Sequence, residues 1–151
     1  MSEVDLNEYN VRLQKLSTLR DSGVNPYPNR FERTHTITDA LKEAEKGKLR
    51  EVDAIVKAPA KNLIRLCGRI MTMRSHGKLS FAHIQDFSGR IQICFMEDLL
   101  KKEKYKFLKK IDVADFIGVS GELFKTRHGE TTLMVYEVVI LSKALRPLPE
   151  K

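Results

Sequence analysis

Apolar and polar residues alternate along two stretches in the middle of the chain, residues 81–85 and 90–95. Strict alternation is typical of β-strands that bury one face. The apolar residues that would share the buried face in these two stretches are Ala82, Ile84, Ile91, Ile93 and Phe95. Segments 75–78 and 86–89 contain Ser and Gly and predict the turns that lie on either side of the first stretch.

Alternation elsewhere predicts three more strands, which gives a set of five. The first strand is predicted over about residues 63–74, and Gly68 lies where a bend or a bulge would be tolerated. The last two strands form a predicted hairpin, in which a turn at residues 127–130 leads into a strand over residues 131–141.

A helix is predicted between the third and fourth strands, over residues 97–111. Its apolar stripe is formed by Leu100, Phe107, Leu108 and Ile111, and lysines fill much of the remainder. The resulting order, β-β-β-α-β-β, is that of the five-stranded OB-fold, a Greek-key barrel that binds oligonucleotides on one face. The pattern therefore predicts a mainly β fold with helices.

Two further helices are predicted ahead of the barrel. Apolar residues recur at helical spacing over residues 5–21, which predicts an amphipathic helix. Thr36 and Asp39 have the spacing of a capping box, and Gly47 offers a helix end. Residues 48–61 are expected to connect this second helix to the first strand.

Composition narrows the class of partner. The formal net charge of +7 suits a polyanionic partner, although basic proteins without such a role are common. We expect neither a signal peptide nor a membrane-spanning segment, because no apolar run is long enough. Cys67 and Cys94 lack CxxC spacing, which favours reduced thiols in a cytosolic protein. The four histidines show no ligand spacing, so a metal site is not expected.

Several segments resemble the anticodon-binding domain of class II lysyl-tRNA synthetases. They are GRIMTMRSHGKLSF at 68–81, GRIQ at 89–92, GELFKTRHGE at 121–130 and KALRPLPEK at 143–151, with a weaker match in RLQKLSTLRDSGVNPYP at 12–28. The resemblance runs through most of the chain and implies the same OB-fold.

The resemblance and the pattern together divide the chain into three parts. Residues 1–61 are expected to form an N-terminal helical extension and connector, residues 62–145 the OB-fold anticodon-binding domain, and residues 146–151 the start of a linker to a catalytic domain that the chain lacks. The first helix is expected either to pack on its own domain or on a partner subunit, or to contact tRNA.

Phe81 is the first candidate for contact with RNA. In the alternating pattern it falls on the face of the strand opposite to that of Ala82 and Ile84. An aromatic ring beside His, Gln and Arg side chains on that face is typical of a surface on which nucleobases stack. From the alternation alone, burial of Phe81 in the core is an equally good interpretation. The resemblance implies that Phe81 stacks on the middle base of the anticodon.

Arg74, Gln92 and Glu137 are predicted to recognise bases beside it. The amide of Gln92 offers a donor and an acceptor that match the N3–H and O4 edge of uracil, and Arg74 could reach a base carbonyl or a phosphate. Each alone could also be an ordinary solvated side chain, and Glu137 could be an edge-strand charge that discourages aggregation. The resemblance implies that all three contact the anticodon.

Four basic residues are predicted to contact phosphates: Arg69, Lys78, Lys125 and Arg127. Such contacts provide salt-dependent affinity without sequence information. The alternative is that these side chains, like the lysines of the 97–111 helix, are simply solvated.

The sequence shows no set of residues whose types and spacing single out a catalytic site, and the FRxE and GxGxxR motifs of class II catalytic domains are absent. The resemblance implies a cytoplasmic, homodimeric lysine–tRNA ligase that uses ATP and Mg²⁺ in its catalytic domain, with no cofactor in this chain. The partner of this chain would be the anticodon stem-loop of tRNA(Lys), which carries a U-rich anticodon. Two alternatives are a free-standing OB-fold protein that binds single-stranded nucleic acid and a protein-interaction module whose basic face docks an acidic partner.

The missing motifs generate the first testable prediction. The isolated chain is expected to show no lysine-dependent ATP–pyrophosphate exchange and no aminoacylation, because it lacks the residues for lysine activation. An exchange assay on the purified chain, with a full-length lysine–tRNA ligase as the positive control, checks this. Lysine-dependent exchange above the no-enzyme background would refute it.

Overall fold

Five strands form a closed barrel in the computed structural model, which describes residues 3–21, 31–61 and 63–144. The helices within these residues are α1 (Glu3–Asp21), α2 (Ile37–Lys46), α3 (Val52–Lys57) and α4 (Glu97–Phe107), and α4 continues into a 3₁₀ turn (Leu108–Lys110). The strands are β1 (Ile64–His76), β2 (Leu79–Gln85), β3 (Arg90–Met96), β4 (Phe116–Lys125) and β5 (Thr131–Ser142).

The strands lie in the order β1-β2-β3-β5-β4, and β4 pairs again with β1 to close the barrel. All pairs are antiparallel except β3 with β5, which is parallel. With α4 between β3 and β4, this arrangement confirms the predicted mainly β OB-fold with helices ahead of the strands.

The long strand β1 serves two neighbours. Its residues from Ile64 to Arg69 pair with β4, and those from Arg69 onward pair with β2. The register shifts between Ile70 and Thr72, so the bulge lies after Gly68 and not at the glycine itself. Gly68 has a different role, because a Cβ atom there would lie 2.8 Å from the carbonyl oxygen of Gln85. Its lack of a side chain therefore permits close approach of β2.

The barrel core is apolar and takes residues from all five strands. The alternation in β2 and β3 is confirmed, because Ala82, Ile84, Ile91, Ile93 and Phe95 are each at most 2% exposed. A second apolar group, which we call the outer cluster, lies on the opposite face of the sheet. Its buried members are Ile55, Cys94, Phe124 and Met134, and Phe81 and Tyr136 are among the partly buried residues packed against them.

Helix α3 lies where the sequence predicted only a connector, so that prediction was wrong for Val52–Lys57. Six residues give no repeat of the helical period, and the helix depends on tertiary contacts instead. Ile55 is fully buried in the outer cluster. Arg50, just before the helix, donates to both carboxylate oxygens of Glu122 at 2.6 and 2.8 Å and to the carbonyl of Ala58 at 2.7 Å.

The other predicted helices form with different details. Thr36 caps α2, since its hydroxyl accepts a hydrogen bond from the backbone N–H of Asp39 at 3.1 Å. The helix predicted over residues 97–111 is interrupted at Lys101, where φ is 68°, and its α-helical part ends at Phe107. The linker predicted at residues 146–151 lies outside the described residues.

Helix α1 forms as predicted, but the two leucines whose side chains the structure describes do not share a buried face. Leu16 is 6% exposed, whereas Leu13 is 43% exposed. A charged residue takes the buried position instead, because Arg12 is only 4% exposed and donates to the carbonyl oxygens of Val113 at 2.7 Å and Ala144 at 3.3 Å. Among the side chains that the structure describes in α1, Leu16 and the polar contacts of Arg12 dock the helix on the barrel.

A buried ion-pair network lies beside this contact. The ammonium of Lys143, whose side chain is fully buried, is 2.5 Å from an Asp112 oxygen and 2.6 Å from an Asp115 oxygen. Lys15 of α1 adds a third pair with Asp112 at 2.6 Å. Burial acts to raise the pKa of Asp112, but the hydrogen bonds and charges of Lys143 and Lys15 outweigh it and hold that pKa below its ordinary value.

The network predicts how stability responds to acid. A carboxyl whose folded pKa is depressed stabilises the fold above its unfolded pKa of about 3.9, and this contribution is lost as the pH falls through the lower folded pKa. Lys143→Met should cost about 3–5 kcal/mol at neutral pH, because it removes the ammonium that pairs with the fully buried Asp115 carboxylate. Part of that loss should be regained on acidification, because in this variant Lys143 no longer lowers the pKa of Asp112 and its carboxylate becomes protonated more easily.

Thermal melts of the wild type and Lys143→Met from pH 7 to pH 3 measure both effects. Lys15→Met is the matched control, since Lys15 is 29% exposed and such a pair contributes only about 0–1 kcal/mol. This account would be contradicted if the two lysine substitutions lowered the stability equally. It would also be contradicted if the stability of the wild type and of Lys143→Met changed in parallel with pH.

Candidate nucleic-acid interface

The strand register places the outward side chains of the barrel in three adjacent rows. The Phe81 row consists of Arg74, Phe81, Cys94 and Met134, and the His83 row consists of Thr72, His83, Gln92 and Thr132. The Arg69 row consists of Arg69, Gln85 and Arg90. The three predicted contact residues Arg74, Phe81 and Gln92 therefore lie in neighbouring positions on one face.

Phe81 lies on this outer face, as the alternation in β2 predicts. The ring is nevertheless half-buried, because it packs against the outer cluster. The guanidinium of Arg74, directly opposite in β1, lies 5.6 Å from the ring centroid. This distance is within the range of a cation–π interaction, so Arg74 already rests against the aromatic surface that a base would use.

Helix α3 borders the same aromatic surface. Tyr136, a member of the outer cluster, donates a hydrogen bond to Glu122 at 3.1 Å, and Glu122 also pairs with Arg50. The hydrogen bond from Arg50 holds the pKa of Glu122 below its ordinary value, against the opposing effect of burial. These polar contacts fix the helix beside the Phe81 row, and the cluster supports the Phe81 ring from behind.

A chain of hydrogen bonds runs along the His83 row. The ring of His83 bonds to the Thr72 hydroxyl at 2.9 Å through Nδ1 and to the Glu130 carboxylate at 2.9 Å through Nε2. The Thr132 hydroxyl accepts from the Gln92 amide at 3.0 Å and donates to the carbonyl of Glu130 at 3.1 Å. The row is therefore a connected polar strip whose side chains are held in fixed orientations.

Gln92 differs from the solvated side chain that the sequence left as an alternative. It points away from the barrel core but is only 4% exposed. Its Nε2 donates to Thr132, while its Oε1 has no hydrogen-bond partner within the described residues. A buried amide with an available acceptor is suited to a ligand that brings its own donor, because an unmatched ligand would leave that acceptor unpaired.

Glu137 lies outside the three rows that the strand register defines. Glu137 is exposed, pairs with Ser120 of β4, and lies three residues beyond Met134, past a register shift in the β4–β5 pairing. Its predicted contact with the anticodon stays a prediction. The carboxylate that does lie beside the His83 row is Glu130, in the turn between β4 and β5.

Glu130 and His83 are part of this face but are not among the contact residues predicted from the sequence. In the sequence, Glu130 is recognisable only as the last residue of a predicted turn. The parallel pairing of β3 with β5, which brings this turn close to β3, leaves no pattern in the sequence. His83 falls on the same outward face of β2 as Phe81 in the alternating pattern, and this position is the feature of the sequence that could have identified it.

The four predicted phosphate contacts border the face. Lys78 is exposed in the turn between β1 and β2, at the end nearest the Phe81 row. Lys125 and Arg127 are exposed at the opposite end, next to Glu130. The guanidinium of Arg69 lies 4.6 Å from the centroid of the Phe116 ring. The basic residues therefore flank the outer face without entering its centre.

Other chemistry has little support within the part of the chain that the structure describes. No group of three His, Cys, Asp or Glu residues there could hold a metal ion. No helix there is long and apolar enough to cross a membrane. Cys67 and Cys94 are both free thiols, and burial raises the pKa of Cys94 to about 12.

Comparison with known proteins adds independent evidence. The family model for tRNA anticodon OB-fold nucleic acid binding domains matches residues 64–141, from the first residue of β1 almost to the end of β5. The chain is 48% identical to the lysine–tRNA ligase of Carboxydothermus hydrogenoformans, over 100% of this chain and 29% of the relative.

It is also 44% identical to the lysine–tRNA ligase of Shouchella clausii, over 93% of this chain and 27% of the relative. For the enzyme of Lactococcus lactis subsp. cremoris the identity is 41%, over 100% of this chain and 30% of the relative. The chain thus spans less than a third of the length of these relatives. It belongs to the tRNA anticodon family of OB-fold nucleic acid binding domains.

Proposed function

We propose that this chain is the anticodon-binding part of a lysine–tRNA ligase and that it binds the U-rich anticodon of tRNA(Lys) in the cytoplasm. The observation that carries the proposal is the outer face of the barrel, where Phe81 and Arg74 lie beside the hydrogen-bonded strip that contains His83 and Gln92. Stacking and hydrogen-bonding groups side by side are the two elements that single-stranded RNA recognition requires.

In the proposed mode of binding, the middle base of the anticodon stacks on the exposed part of the Phe81 ring. Stacking contributes about 1–3 kcal/mol per base and tolerates any base. Arg74 must move aside or lie on the far side of the base, where its guanidinium can stack as well. The outer cluster behind Phe81 keeps the ring in place, so little side-chain entropy is lost when the base arrives.

Selectivity for uracil would come from the His83 row. The free Oε1 of Gln92 can accept from the N3–H of uracil, and a remaining amide hydrogen can donate to a base carbonyl. Glu130 supplies a second acceptor, and His83 orients it through the 2.9 Å bond. Cytosine lacks a proton on N3, so it would cover the Gln92 acceptor and leave it unpaired.

Lysine activation lies outside this chain in the proposal. ATP, Mg²⁺ and lysine would bind the catalytic part of a longer, homodimeric ligase, and this chain would position the tRNA relative to it. The support is the match to lysine–tRNA ligases, of which the chain spans less than a third, and the absence of the FRxE and GxGxxR motifs from residues 1–151.

The stacking role predicts the effect of Phe81→Ala. Binding of a tRNA(Lys) anticodon stem-loop should weaken by about 1–3 kcal/mol, because the stacking surface is lost. Unfolding should become easier by less than the roughly 3–5 kcal/mol that removal of a fully buried Phe costs, since the ring is only half-buried. Fluorescence titration and a thermal melt of each protein measure the two effects.

Two control variants accompany Phe81→Ala. Phe81→Tyr keeps an aromatic surface and should bind almost as well as the wild type. Lys78→Ala should weaken every stem-loop equally and reduce the slope of log affinity against log salt by about 1. Unchanged binding by Phe81→Ala would exclude the stacking role.

The selectivity mechanism is tested separately with stem-loops that carry either uridine or cytidine at the middle anticodon position. Gln92→Met keeps the size of the side chain but removes its hydrogen bonds, so the preference for uridine should shrink toward equality. Glu130→Gln should also reduce the preference, because it removes the charge from the second acceptor, which His83 orients beside the row. Undiminished discrimination by Gln92→Met, with normal melting, would rule out this assignment.

A further inference from the structure

A second aromatic surface lies at the other end of the same face. A depression of about 290 Å³ is lined by Arg69, Met71, Gln85, Asp86, Phe87 and Phe116. It begins at the Arg69 row, which directly adjoins the His83 row. Gln85 is four residues along β2 from Phe81, a separation of about 13 Å at the usual rise of a strand.

The two aromatic rings here are unusually accessible. Phe87 is 80% exposed and Phe116 is 37% exposed, and both are among the exposed large apolar residues of the described chain. Each ring has an arginine beside it: Arg33 lies 5.3 Å from the Phe87 centroid and Arg69 lies 4.6 Å from the Phe116 centroid. Accessible aromatic rings next to guanidinium groups match the stacking and phosphate contacts of single-stranded RNA.

The turn that carries Phe87 is held in a fixed shape. One carboxylate oxygen of Asp86 accepts from the backbone N–H groups of Ser88 and Gly89 at 2.7 and 3.0 Å, and also from the Ser88 hydroxyl at 2.6 Å. The other oxygen accepts from the N–H of Ile37 at 2.9 Å. Phe87 is thus presented on a rigid turn, and the Asp86 charge is engaged by the protein.

We infer that Phe87 and Phe116 form a second stacking site, which takes an unpaired nucleobase of the same RNA strand that Phe81 binds. The inference rests on the proposed function and extends it along the face. A single OB-fold binds about 4–16 nucleotides, so a strand held at Phe81 is expected to continue past the His83 row. The charge also fits, since Arg33 and Arg69 lie against the two rings, while the Asp86 carboxylate that lines the depression accepts hydrogen bonds from backbone N–H groups.

Affinity measurements with two probes test the site. A uridine dinucleotide can occupy the Phe81 site, but its two adjacent bases cannot bridge the separation to Phe87, whereas a uridine decanucleotide can occupy both sites. Phe87→Ala should weaken the decanucleotide about 5- to 150-fold, the range for loss of one stacked base, and should leave binding of the dinucleotide at the Phe81 site unchanged. Phe87→Tyr is the matched control and should retain the wild-type affinity for both. Equal affinity of Phe87→Ala and the wild type for the decanucleotide would overturn the inference.

The chain contains no tryptophan, which allows a direct optical test. Phe87→Trp and Phe81→Trp each introduce a single indole, whose emission should be quenched when a base stacks on it. Quenching of both by the decanucleotide supports the inference. Quenching of Phe81→Trp alone overturns it and leaves the proposed function intact, whereas quenching of neither contradicts the proposed function itself. A change in Phe87→Trp emission that follows protein concentration instead of RNA would identify the surface as a contact between copies of the chain, and would also overturn the inference.

Discussion

The architecture depends on one strand that pairs on both sides. The first half of β1 hydrogen-bonds to β4 and its second half to β2, so the sheet can close only if β1 bends between the two pairings. The bulge between Ile70 and Thr72 allows that bend, and Gly68 lets β2 approach at the same place. Because the register after the bulge sets which β1 residues face outward, it also decides that Arg74 meets Phe81.

The sheet has an apolar cluster on each face, and the two serve different purposes. The inner one is the barrel core, which stabilises the fold by removing aliphatic side chains from water. The outer cluster is smaller and incomplete, since Phe81 remains half-exposed at its border. An aromatic ring that is supported from behind and open in front is well suited to binding, because it is already ordered before the ligand arrives.

Periodicity predicted much of the fold but less of the site. Ile91, Ile93 and Phe95 repeat with the period of a strand, and each such repeat depends only on neighbouring residues, so it can be recognised in one sequence. Helix α3 could not be recognised, because burial of Ile55 depends on distant strands. Likewise, the burial of Arg12 could not be recognised in the pattern of the first helix, because the barrel supplies the carbonyl groups that accept its hydrogen bonds.

The candidate site shows the same division. Phe81 and Gln92 were predicted from parity together with the resemblance, and they do lie on one face. Glu130 could not be placed, because its proximity to His83 follows from the parallel pairing of β3 with β5, which joins segments about forty residues apart. Residues that meet through long-range register are recognisable only once the topology is known.

The burial of Cys94 makes the outer cluster report on its own opening. Burial raises the pKa of the Cys94 thiol to about 12, and the thiolate is the form that alkylating reagents attack. Cys94 should therefore be unreactive toward such reagents while the outer cluster covers it, and should become reactive when that cover is lost. The rate at which a second alkyl group is added to the chain, after Cys67, would then measure how often the outer cluster opens.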